Sequence, residues 1–112
     1  MNGYNETEQY IVGVEVKTNK VWIDSQGNKK TVYRKIIELN NLPWSANTWS
    51  PIPNSDVDVP NIERIVNFDI MSLYNGLSSN VLTTVQNGYI NLYSAGAPLT
   101  LSGYIVEYIK IV

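Results

Sequence analysis

Residues 21–38 read Val21-Trp22-Ile23-Asp24-Ser25-Gln26-Gly27-Asn28-Lys29-Lys30-Thr31-Val32-Tyr33-Arg34-Lys35-Ile36-Ile37-Glu38, and this stretch decides the fold. An apolar run at 21–23 meets a polar turn at 24–28, and a second β-prone run at 31–37 follows. Asp24 can hydrogen-bond its own backbone to open the turn, and Gly27 can take the positive φ that a longer hairpin loop needs. The segment therefore predicts a β-hairpin, with Trp22 and Tyr33 expected to face each other across it as a cross-strand pair.

Upstream of the hairpin, Tyr10, Val12, Val14 and Val16 alternate with Ile11, Gly13, Glu15 and Lys17, the period of a strand with one buried face. Downstream, residues 40–60 hold all but one of the five prolines (Pro43, Pro51, Pro53, Pro60) together with Trp44 and Trp49. Proline has no N–H to give a central strand, so this stretch predicts a long surface excursion with one short edge strand around 49–52. A strand is expected at 65–74, with Val66, Phe68, Ile70 and Tyr74 on its apolar face, then a turn at Asn75-Gly76 and strand character again at 79–85. Asn87-Gly88 is a strong hairpin signal that pairs 81–85 with 89–93. Residues 103–112 form a closing strand with Ile105, Ile109 and Ile111 on one face and Tyr104, Val106, Tyr108 and Val112 on the other. A strand apolar on both faces is either central to the sheet packing or covered by another subunit. No segment repeats apolar residues at three and four, and short strands alternate with turn signals throughout. The pattern predicts an all-β chain, an antiparallel β-sandwich of jelly-roll-like form, with residues 1–112 as one domain and 1–9 as an N-terminal arm.

Composition narrows the function. The 112 residues include no cysteine and no histidine, which removes thiolate metal sites, disulfides, the commonest general base and the usual pH switch. Charged residues are only 16%, against roughly 25% in an average soluble protein, as suits a surface covered by neighbours. No apolar run approaches the roughly 20 residues of a membrane-spanning helix, and the polar, acidic start is unlike a signal peptide, so no membrane partner is expected. A net charge of −2 argues against nucleic acid as the main partner. The charge is uneven, however. Lys17, Lys20, Lys29, Lys30, Arg34 and Lys35 gather around the first hairpin, while acids dominate beyond residue 36. Lys29, Lys30, Arg34 and Lys35 are thus candidates for a basic docking patch that meets an acidic neighbour, the plainer alternative being a solvated hairpin edge.

Residues able to carry catalysis are scarce. Asp56 and Asp58 alternate in 53–60, so an extended strand would put both on one side, the arrangement from which a glycosidase pair or an oxygen-ligand cation site starts. The additional ligands and the sharp glycine turn of a calcium loop are missing, as are a base for a serine nucleophile and a glycine-rich phosphate loop. The chain reads as noncatalytic and without cofactor or metal. Trp44, Trp49 and Ile52 are the better candidates: flat aromatics in a proline-stiffened excursion can fill a partner's pocket or stack on a sugar ring, or can pack beneath their own loop.

Several stretches resemble a small module of bacteriophage tail-fibre and surface-appendage proteins, whose signature runs Trp-Ile-Asp-Gly-Lys-x-Ile-Tyr-Arg-Lys. Trp22-Ile23-Asp24, Gly27 and Val32-Tyr33-Arg34-Lys35 match it, with a longer turn. Tyr4 to Gly13 is similar to its entry segment, Asn61 to Asp69 to its central Asn-Ile-Asp-x-Ile-Val-Asn run, and Gly103 to Lys110 to its last strand. Residues 15–19 and Ser25-Gln26 are extra relative to the signature. The resemblance implies a virion structural protein made in the host cytoplasm, a fibre or appendage subunit or adaptor on capsid or tail. It implies a homo-oligomer, with three subunits favoured, and other virion proteins as partners. The alternative is a receptor-recognition module that binds a host surface glycan, with Trp44 and Trp49 as its platform.

Overall fold

The computed structural model describes residues 11–72 and 80–111. The expected arm at 1–9 and the expected turn at Asn75-Gly76 lie outside the described residues. The strands are β1 (Val16–Ile23), β2 (Lys29–Trp44), β3 (Ser50–Pro51), β4 (Ile62–Ser72), β5 (Asn80–Gln86), β6 (Tyr89–Ala95) and β7 (Leu99–Lys110), with one helical turn, α1 (Ser55–Asp58). They form a four-stranded sheet in the order β1-β2-β7-β4 and a three-stranded sheet in the order β3-β6-β5, with antiparallel strand pairs. β2 pairs with β7 and β3 with β6, nested around the consecutive strands β4 and β5. That nesting is a long hairpin rolled upon itself, the winding of a jelly roll.

The core lies between the sheets. Tyr104, Val106 and Tyr108 of β7, Leu99 and Leu101 at its start, and Ile90 and Leu92 of β6 are its buried centre, joined by Ile37 and Trp44 of β2. Tyr104 stacks on Phe68 with ring centres 5.3 Å apart. Residues 52–62 fold back beneath the sandwich rather than looping away from it. Ile52 and Val59 are fully buried and Ile62 nearly so, and the buried Ser55 hydroxyl accepts a hydrogen bond from the Ile90 N–H at 2.9 Å.

The first hairpin closes as its residues dictate. The Asp24 carboxylate accepts from the N–H groups of Gln26 and Asn28 at 2.9 and 2.8 Å, and Gly27 takes φ +86°. The turn sets Ile23 opposite Lys29, so Trp22 lies opposite Lys30 and Tyr33 opposite Lys17. The expected Trp22–Tyr33 pair does not form, because that register sends the two rings to opposite faces of the sheet. Tyr33 packs inward, 6.2 Å from Tyr108.

Other expectations need correction for physical reasons. The strand expected at 10–17 begins only at Val16. Before it the chain turns at Gly13 (φ +78°), with a single parallel bridge from Val12 to Ile36, and Val12 and Val14 stay exposed. β2 runs on through Pro43 to Trp44, where a loop was expected. β1 pairs with β2 only as far as Arg34, so at Pro43 the strand has β7 as its one strand neighbour and tolerates a missing N–H. In β4 a register shift between Ile65 and Asn67 resets the alternation, so Ile65, Phe68 and Ile70 pack on the core. The closing strand is doubly apolar because it is central, with β2 on one side and β4 on the other. Both neighbours shift register beside Gly103, where a Cβ would collide with the Ile37 carbonyl oxygen.

Candidate functional site

Residues alternate along β7, so Ile105, Glu107 and Ile109 face away from the inter-sheet core. They lie on the outer face of the four-stranded sheet, with Arg34 directly opposite Glu107 and Ile36 opposite Ile105. A carboxylate amid so apolar a strand must be paired. Glu107 accepts from the Lys20 ammonium at 2.7 Å and from Nε and Nη2 of Arg34 at 2.9 and 2.6 Å, and is only 5% exposed. Burial works to raise its pKa. The hydrogen bonds and charges of Lys20 and Arg34 outweigh that, and the carboxyl is held below its ordinary value.

Further bridges cross the same face. The Arg64 guanidinium of β4 sits 5.8 Å from the Trp22 ring centre of β1, reaching over the two strands between them. The Lys30 ammonium donates to Glu63 at 2.6 Å and to the Lys110 carbonyl at 2.7 Å. Val32 and Ile109 are fully buried on this side, so the outer face carries a small second core. Beside it opens a depression of about 310 Å³. The central strands contribute Arg34, Ile36, Ile105 and Glu107 to its lining; the edge strands contribute Lys20 from β1 and Asn67 and Asp69 from β4.

A second polar cluster anchors the entry segment. The Glu15 carboxylate accepts from the Tyr108 hydroxyl and from the Lys110 ammonium, the latter at 2.7 Å. Lys110 also lies 4.3 Å over the Tyr33 ring. Burial would raise the Glu15 pKa, but these two donors prevail and lower it.

The residues singled out from the sequence do not converge. Trp44 and Ile52 belong to the inter-sheet core, at 7% and 0% exposure, so neither can serve as a contact platform. Trp44, Ile52 and Val59 are covered by the domain itself, whereas Trp49 and Val57 of the same stretch stay exposed. Of the three candidates Trp49 alone is available: it is 47% exposed and packs on Tyr93, ring centres 5.3 Å apart, with the exposed Leu82 opposite Tyr93. Of the basic residues, Lys29 is exposed, Lys30 is tied to Glu63, and Arg34 to Glu107. Lys35 lies on the other side of β2 and gives its ammonium to the Asp58 carbonyl. The four therefore do not make one patch. Asp56 and Asp58 sit on α1 rather than along a strand, so the side-by-side arrangement expected of them does not arise. Among the described residues no group of His, Cys, Asp or Glu could hold a metal, and no helix is long and apolar enough to cross a membrane.

One feature is apolar and open. No β1 residue enters the inter-sheet core; Val21 and Ile23 are 59% and 53% exposed, and Ile11, Val12 and Val14 of the entry segment, before the other end of β1, are exposed as well. The strand is also an edge of its sheet. Comparison of the chain with protein-family models, with curated proteins and with solved structures finds no match.

Proposed function

We propose that this chain is a noncatalytic structural subunit of a bacteriophage virion, a fibre or surface-appendage component that assembles with copies of itself and docks on capsid or tail. The observation that carries the assembly part is the β1 overhang. Val21 and Ile23 project from an edge strand with no core beneath them, and Ile11, Val12 and Val14 leave further aliphatic area uncovered. Exposed aliphatics along an open strand are ordinarily covered by a partner, since otherwise they invite unspecific pairing. The Trp22-Ile23-Asp24 and Tyr33-Arg34-Lys35 resemblance supports the virion part and favours closed threefold symmetry. Trp49 and Leu82, exposed on the three-stranded sheet, offer a second face for another virion protein.

Native mass spectrometry tests the reading. The expected species is an oligomer, and the double variant Val21→Glu, Ile23→Glu shifts it to monomer with its far-ultraviolet circular dichroism unchanged. A wild-type chain that stays monomeric at micromolar concentration refutes self-assembly.

A further inference from the structure

We propose that β5 is a strand-addition site whose occupant is the β5 of a second copy, the two strands pairing antiparallel about a twofold axis. This contact goes beyond the β1 overhang and shares no residue with it. The two sheets end in four edge strands, β1, β4, β3 and β5. Exposed edges are normally protected against pairing by charge, proline, brevity or a bulge. β1 carries Lys17 and Lys20 and shifts register between Lys17 and Val21. β4 carries Glu63, Arg64 and Asp69 and shifts register at three places, while β3 is two residues long and includes Pro51. β5 has no such device: its seven residues hold no charge and no proline, and they pair with β6 position by position without a shift.

The backbone of β5 faces the right way for it. Opposite Val85, Ile90 gives its N–H to the Ser55 hydroxyl, and its carbonyl accepts from the Ile52 N–H. Opposite Val81, the Ser94 carbonyl accepts from the Asn47 N–H. Those β6 groups point away from β5, so Val81, Thr83 and Val85 direct their own N–H and carbonyl groups outward, where no described residue pairs with them. A depression of about 340 Å³ separates Thr83, Thr84 and Val85 from Glu63, Arg64 and Ile65, so β4 does not cover the edge at these residues. The strand is also self-complementary about Thr83. Antiparallel pairing centred there sets Val81 opposite Val85 of the second copy, Leu82 opposite its Thr84 and Thr83 opposite its Thr83, with about six backbone hydrogen bonds. Val81 and Val85 pack on the inter-sheet core, so the pairing carries that core across the axis. Leu82 gains a neighbour at its side while its outward surface stays open beside Tyr93. One strand pair buries less area than a stable interface needs, so the contact is weak between lone chains and strengthens between chains already held in an oligomer.

The test uses the full chain carrying Val21→Glu and Ile23→Glu, which removes the β1 contact, so that failure of that contact and failure of this one are distinguishable. Sedimentation equilibrium up to about 500 μM is expected to show monomer and dimer in exchange, with a dissociation constant of about 100 μM. Adding Leu82→Lys with Thr84→Lys sets lysines directly opposite each other across the axis and is expected to weaken the dimer about tenfold or more. Leu82→Lys with Thr84→Glu sets each lysine opposite a glutamate and should keep the dimer within about threefold. Mixing the double-lysine chain with a Leu82→Glu, Thr84→Glu chain should restore pairing as a heterodimer, which misfolded chains cannot do. Amide exchange reads the register. The Val81, Thr83 and Val85 amides should exchange faster than those of Leu82 and Thr84 at about 10 μM, and slow about fourfold at about 500 μM, where roughly three quarters of the chains are paired. The proposal is overturned if no dimer forms, if Leu82→Lys with Thr84→Lys leaves it intact, or if Leu82→Lys with Thr84→Glu weakens it equally. Val81, Thr83 and Val85 amides already protected at about 10 μM also overturn it, since another part of the same chain then covers the edge.

Discussion

Glu107→Gln removes one negative charge from the centre of the outer-face ion cluster while keeping the side chain's size. The loss is the sum of two unequal contacts. The Lys20 side chain is 53% exposed, so solvent screens its pair with Glu107 and the contact is worth at most about 1 kcal/mol. The Arg34 side chain is only 22% exposed and gives Glu107 two hydrogen bonds. Breaking a buried pair costs about 3–5 kcal/mol when one charge is stranded. That figure is discounted here because Arg34 keeps some solvent contact and the Gln carbonyl still accepts one bond. A total of about 2–3 kcal/mol results, which lowers the melting temperature by about 10–20 °C in a domain of this size. Urea unfolding followed by circular dichroism, at fixed protein concentration, measures it. Lys20→Ala should lose under about 1 kcal/mol in the same assay. A Glu107→Gln loss below about 1 kcal/mol, or a Lys20→Ala loss as large as that of Glu107→Gln, would refute the reasoning.

Three further outcomes are expected. Asn87 and Gly88 take φ +55° and +81°, so Gly88→Val forces a β-branched residue into a left-handed turn and should cost about 1 kcal/mol or more in thermal unfolding. The Tyr104 hydroxyl is buried without a hydrogen-bond partner among the described residues, and burial pushes its pKa up; Tyr104→Phe should therefore stabilise by up to about 1 kcal/mol, and a measured loss would reveal a partner. Glu15 and Glu107 both titrate below their ordinary value when folded. Their contribution is thus present at neutral pH and fades as pH falls through the folded-state pKa values, so the urea midpoint should hold from pH 7 to about 5 and drop below, less steeply in Glu107→Gln.

Much of the fold was legible because its punctuation is local. Asn87-Gly88 and the Asp24 turn act within a few residues, and the described non-glycine residues with positive φ are all asparagines: Asn41, Asn47, Asn54, Asn61 and Asn87. What misled was context. Pro43 signals a loop only if its strand is flanked on both sides, and β1 ends its pairing before reaching it. For Trp44 and Ile52 the sequence left partner contact and packing beneath their own loop both open, because nothing nearby reveals that β2 runs on to Trp44 or that residues 52–62 fold back beneath β6. The polar depression was partly announced by Glu107, a lone charge within Tyr104-Ile105-Val106-Glu107-Tyr108-Ile109. Its partners were not, since Lys20 and Arg34 lie 87 and 73 residues away in the chain.

The rolled winding also dictates an order of events during synthesis. β5 and β6 can zip across a two-residue turn on the microsecond scale of hairpin closure. β2 and β4 cannot finish in the same way, because the strand both must pair with is β7, the latest of the seven to emerge from the ribosome. Until residue 110 is available, two hydrogen-bonding edges of the four-stranded sheet wait unpaired, and Tyr33 must then find Tyr108 across about two thirds of the chain. Contacts so distant in sequence make folding slow and leave the nascent chain open to wrong strand pairing. The hazardous interval is that wait, during which a neighbouring chain's β7 is as good a partner as its own.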